Sequence, residues 1–114
     1  DIEKVRPVGK GVPERVMSEA EYPLYRDADD RQTLFFQIWT LKEAFIKYSG
    51  EGLGIPLSSF TVCPSDSGVI TDTGCTFWLM QPAAGYQAAV CSKGGAGPEL
   101  VMVSEEQLAR LLVR

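Results

Sequence analysis

Between Asp30 and Gly50 the large apolar residues return at threes and fours: Leu34, Ile38, Leu41, Phe45 and Tyr48, with Phe35, Trp39 and Ile46 widening the stripe. That spacing predicts a helix over residues 31–49 with most of its surface buried. Asp29 or Asp30 can cap its start, and Gly50 and Gly52 end it. A helix so apolar requires a sheet or other helices around it, and the rest of the chain supplies the strands. Period-two patterns predict strands at about 59–63, 69–71, 75–81, 86–92 and 100–103, with turns at Ser67-Gly68, Ala84-Gly85 and 94–98. Phe77, Trp78, Leu79 and Met80 are read as sheet core.

The start of the chain is more broken. Asp1-Ile2-Glu3-Lys4-Val5 alternates as a strand does, which turns Asp1 and Glu3 to one face. Pro7, Gly9, Gly11 and Pro13 then interrupt regular structure before a short helix expected near 14–17. Ser18-Glu19-Ala20-Glu21 fits a capping box, although Pro23 limits what it can start. A second capping box, Ser104-Glu105-Glu106-Gln107, opens an amphipathic helix through Leu108, Leu111 and Leu112. Helices first and an antiparallel sheet after predict one α+β domain over residues 1–114, a long central helix packed on a mainly antiparallel sheet. Because Asp1 opens the sequence in register with a strand, the chain is expected to be a fragment of a longer one.

Composition removes several function classes. The 114 residues carry a net charge of −4, so no basic field draws in nucleic acid or an anionic membrane. Of the eleven basic side chains only Lys93, Arg110 and Arg114 follow residue 50, and a polyanionic ligand would therefore bind near the first half. No apolar run approaches the roughly 20 residues that span a bilayer, and no leader is expected. Cys63, Cys75 and Cys91 are odd in number and contain no CxxC pair, which favours buried free thiols and a cytoplasmic location. Histidine is absent, which argues against a zinc hydrolase, a Ser-His-Asp triad or a histidine base. Any catalysis falls to carboxylates, lysines and a hard metal.

Within the long helix, Glu43 and Lys47 are i,i+4 neighbours and Lys42 lies about 100° around from Glu43. A solvated ion pair is one reading. The other is a charged ligand or metal, favoured by the crowding of Phe36, Trp39 and Phe45 about the same region. If Glu43 faces Asp1 and Glu3, three carboxylates form a hard oxygen site suited to magnesium. Lys42 and Lys47 would then neutralise phosphate oxygens bridged by that metal. The glycines of 50–54 lack the Gly-Lys-Ser/Thr of a phosphate loop and follow a helix, so they are read as its C-cap and turn.

These residues resemble the surfactin-type 4'-phosphopantetheinyl transferases. The resemblance rests on Asp1-Ile2-Glu3, on WTLKEAFIK at 39–47 and on GEGLGIPLSSF at 50–60. It extends through Gly85-Tyr86-Gln87-Ala88-Ala89-Val90-Cys91 and Met102-Val103-Ser104. It implies transfer of the phosphopantetheine arm of coenzyme A to a serine of an acyl or peptidyl carrier protein. Asp1, Glu3 and Glu43 would hold magnesium against the coenzyme A pyrophosphate, Lys42 and Lys47 would contact phosphates, and Glu43 would help deprotonate the serine. The stretch 6–30 would help receive the carrier protein. Enzymes of that type are about twice as long, two similar halves with coenzyme A between them. This chain resembles the second half, so a missing N-terminal half or a second copy is expected as partner. Two alternatives stand beside this: a small trimeric holo-acyl-carrier-protein synthase, and a non-catalytic half-domain for self-association or carrier binding.

Overall fold

The computed structural model describes residues 1–50 and 54–93. The strand expected at 100–103, the Ser104 capping box with its helix, the 94–98 turn and Gly52 all lie outside the described residues. Strand β1 (Ile2–Lys4) leads through the short helices α1 (Val12–Val16) and α2 (Tyr22–Asp27) to the long helix α3 (Arg31–Ser49). After a 3₁₀ turn at Leu57–Ser59 come β2 (Val62–Ser65), β3 (Gly68–Thr71), β4 (Thr76–Met80) and β5 (Tyr86–Ser92). This is the expected α+β arrangement.

Of the two candidate caps, Asp30 starts α3: its carboxylate accepts from the Thr33 backbone N–H at 3.1 Å and from Thr33 Oγ1 at 2.7 Å. Gly50 ends the helix at φ 71°, a left-handed conformation that glycine adopts without strain, and its N–H bonds Ile46 O at 3.2 Å. The apolar stripe lies inside. Phe35, Ile38 and Leu41 are buried against Val16, Met17, Phe60, Val62, Phe77 and Ala89, and each such side chain contributes about 1.5–3 kcal/mol. Tyr48 departs from the expected stripe and is 47% exposed.

The larger sheet has the order β1-β5-β4, with both pairings antiparallel. Ile2 faces Ala88 and Glu3 faces Gln87 across the first ladder. The same register is carried one residue further by bonds from Asp1 N to Ala89 O at 2.6 Å and from Ala89 N to Asp1 O at 2.8 Å. Since Ala89 belongs to the core beneath α3, strand alternation places Asp1 and Glu3 on the helix side of the sheet.

Two expectations shift. The strand predicted at 59–63 begins instead at Val62, because Pro56 opens a 3₁₀ turn closed by Ser59 N–H and Ser59 Oγ, both donating to Pro56 O at 3.0 and 2.6 Å. Pro64 is tolerated in β2 because that strand belongs to a two-stranded hairpin with β3, where a missing donor can face outward. The second change is α2, a helix where Pro23 argued for a limit. Pro23 occupies the first turn, where a ring-fixed φ and a missing N–H cost nothing. Among the described residues no helix is long and apolar enough to cross a membrane.

Candidate active site between strand β1 and helix α3

The first strand and the last turns of α3 bring charged groups together. Lys47 Nζ bonds Asp1 Oδ1. Asp1 is almost enclosed, its side chain only 7% exposed, while Lys47 is 65% exposed. The other Asp1 oxygen, Oδ2, is buried without a hydrogen-bond partner among the described residues, an arrangement that native proteins rarely leave unexplained. Glu3 lies beside it: Trp39 Nε1 donates to Glu3 Oε1 at 3.3 Å, and Arg6 Nη1 to Glu3 Oε2 at 3.3 Å. Arg6 is itself fixed by a 2.7 Å bond to Lys4 O and by stacking over the Phe36 ring, 4.4 Å from its centroid. Trp39 in turn stacks on Phe35, with centroids 6.1 Å apart and planes 18° from parallel.

Glu43 is half-buried on the same side of α3. Burial holds the Asp1 ammonium below the usual α-amino range and Lys47 adds to that, whereas the charges of Glu3 and Glu43 pull it back up. The structure thus brings Asp1 and Lys47 into contact beside Glu3, with Glu43 one helical turn before Lys47 on α3.

Lys42 is not there. It is fully buried on another face of α3, where its Nζ pairs with Glu21 Oε1 at 2.9 Å and donates to Leu57 O and Phe60 O, each at 2.6 Å. The Phe60 ring lies 4.4 Å away. The expectation that Lys42 contacts phosphates is corrected by this placement: every donor direction is taken up inside the protein. Burial lowers the Lys42 ammonium from the ordinary lysine range, and Glu21 opposes that.

Glu21 completes an internal junction that sequence reasoning missed. Its Oε1 also accepts from Ser18 N at 2.7 Å, and Oε2 accepts from Val62 N at 2.6 Å. The Ser18–Glu21 contact is half of the capping box. The signal that could have found its partner was the helical offset of Lys42, four residues after the fully buried Ile38.

The donor chemistry of Asp1, Glu3 and Glu43, all carboxylate oxygen with one buried oxygen orphaned, fits a hard divalent cation. Their placement is not a closed ligand sphere. Among the described residues no group of three or more His, Cys, Asp or Glu side chains stands close enough to hold a metal ion, and the protein's own cations, Lys47 and Arg6, sit on two of the carboxylates. The three cysteines are free and half-buried rather than fully enclosed. Cys91 is pushed up to about 12 by burial and by the neighbouring Cys75 thiol, which makes it a poor nucleophile.

Residues 1–91 match the family model of the 4'-phosphopantetheinyl transferase superfamily. The chain is 36% identical over 95% of its length to the 4'-phosphopantetheinyl transferase ffp of Bacillus subtilis, and 35% identical over the same share to Sfp of Bacillus subtilis strain 168. It is 36% identical over 97% of its length to psf-1 of Bacillus pumilus. In each case it spans about half of the relative, 52%. The fold is also that of a crystal structure of Thermotoga maritima holo-[acyl-carrier-protein] synthase, with a TM-score of 0.69 over 96% of this chain and 70% of the other at 22% identity. The chain belongs to the 4'-phosphopantetheinyl transferase superfamily.

Proposed function

We propose that this chain supplies the metal- and phosphate-binding part of a site that transfers 4'-phosphopantetheine from coenzyme A to a serine of an acyl or peptidyl carrier protein. The observation that supports it is the contact of Asp1 on the β1 side with Lys47 of α3, with Glu3 held by Trp39 and Glu43 one turn before Lys47, in a chain of this superfamily. Asp1, Glu3 and Glu43 would hold magnesium. When bound, that ion would neutralise the pyrophosphate and stabilise charge on the departing adenosine bisphosphate.

The chain's own groups have separate tasks. Lys47, largely exposed at the last turn of α3, can reach a phosphate oxygen, and Glu43 takes the proton from the serine hydroxyl, directly or through a water. The serine oxygen then bonds to the phosphorus that carries the pantetheine arm, and the bond from that phosphorus to the bridging oxygen breaks. Trp39 and Arg6 hold Glu3 in place from two sides. Lys42 and Glu21 act beneath the site by joining α3 to the 57–62 segment.

Because the chain spans about half the length of its relatives, the rest of the coenzyme A site is assigned to a companion half or a second copy. The test incubates a carrier protein with coenzyme A, magnesium and this chain, with and without the N-terminal half of a relative, and weighs the carrier. The expected result is a gain of one phosphopantetheine when both halves are present, abolished by a chelator. Undiminished transfer in excess chelator would remove the metal from the account.

A further inference from the structure

The Asp1 carboxylate holds two observations that belong together. One oxygen is taken by Lys47 and the other is buried with no partner among the described residues. A buried carboxylate that satisfies only one oxygen is under-coordinated, and a single ammonium does not meet its full capacity as acceptor. Lys47 itself is 65% exposed and sits near the end of α3, where its long side chain can swing into water at little cost.

The other cations nearby lack that freedom. Lys42 is fully buried and bonded to Glu21 and two carbonyls. Arg6 is fixed by Lys4 O and the Phe36 ring as well as by Glu3. Of these three side-chain cations Lys47 is thus the one most readily exchanged, and among the described residues the carboxylate it covers has an oxygen to spare.

We propose that Lys47 is a resident counter-ion of Asp1 that a divalent cation must displace, so that cation binding and release of the Lys47 ammonium form one exchange. This rests on the metal assignment of the proposed function and adds an order of events to it. While Lys47 is on Asp1 Oδ1, its charge repels a dication from the same carboxylate. A dication that engages Asp1 through Oδ2 satisfies the orphaned oxygen and repels the ammonium in turn. The lysine is set free only when the cation is in place, and its charge then becomes available to a phosphate. A metal-free site would hold its phosphate-directed lysine occupied.

Mn²⁺ binding to the chain, followed by electron paramagnetic resonance at low ionic strength, tests the exchange without any transfer assay. Lys47→Gln should bind Mn²⁺ about three- to fivefold more tightly than the native chain, the range set by an exposed ion pair. Lys10→Gln, which removes an exposed lysine outside this cluster, controls for net charge and should leave affinity near the native value. In a parallel titration with diamagnetic Mg²⁺, the Lys47 ammonium resonance should lose its paired shift as the metal binds. Equal or weaker Mn²⁺ binding by Lys47→Gln overturns the exchange while leaving the metal assignment standing. Failure of every form to bind Mn²⁺ overturns both.

Discussion

Lys42 and Lys47 belong to one motif yet lie about 140° apart around α3, and that angle separates their tasks. Lys47 shares a face with Glu43, one turn earlier, and reaches Asp1. Lys42 follows Ile38 into the interior and meets Glu21. The Trp39, Glu43 and Lys47 pattern was legible in sequence because an i,i+4 offset sets those two charged groups together in any helix. The burial of Lys42 was not legible, since the counter-charge that makes it tolerable stands 21 residues away in a turn. Bonds from Thr33 hold the Asp30 carboxyl below the usual carboxylate range, so the cap's contribution is present above the ordinary aspartate pKa and is lost as pH falls through the depressed one. The melting-temperature gap between the native chain and Asp30→Ala should be constant from about pH 5 to pH 7 and shrink below about pH 4.

At the scale of elements, the Glu21–Lys42 pair ties three segments to each other: the turn before α2, the middle of α3 and the 57–62 stretch that enters β2. Both side chains are fully enclosed, so removing one charge leaves the other buried and unpaired. Glu21→Gln should destabilise the fold by about 3–5 kcal/mol, whereas the double change Glu21→Leu with Lys42→Met should recover a large part of that. Urea denaturation of the native, single and double forms checks it, and a double variant as unstable as the single one would contradict the ion-pair account. The same junction explains an error in boundaries. Alternation marked 59–63 as a strand, but Phe60 O and Leu57 O turn inward to Lys42, and the ladder starts only when Val62 N–H has been taken by Glu21. By contrast, α3 with its Asp30 cap and Gly50 stop, and the strands at 69–71 and 86–92, were readable because local spacing and turn residues decide them. The helix α2 was obscured by Pro23, whose effect depends on whether it falls in the first turn or later.

The whole chain is half of something larger in its relatives, covering 52% of each of the three compared. Among the described residues β1 is an outer strand of the β1-β5-β4 sheet, and Asp1 and Glu3 project from that side toward α3. An exposed strand edge carries unpaired backbone groups that favour association. The chain alone is therefore predicted to self-associate at high concentration and to transfer no detectable phosphopantetheine, and a complementing half should restore both monodispersity and transfer. Light scattering and carrier mass, read on the same samples, check this together. The central claim, that the residues gathered between β1 and α3 carry out the transfer, is tested most directly at Glu43. Glu43→Gln keeps the size of the side chain, and the circular dichroism and melting temperature of the variant should match the native chain. With the complementing half, coenzyme A and magnesium present, the rate at which the carrier gains one phosphopantetheine should fall by two or more orders of magnitude, with coenzyme A binding reduced less. A folded Glu43→Gln chain that modifies the carrier at the native rate would contradict the account.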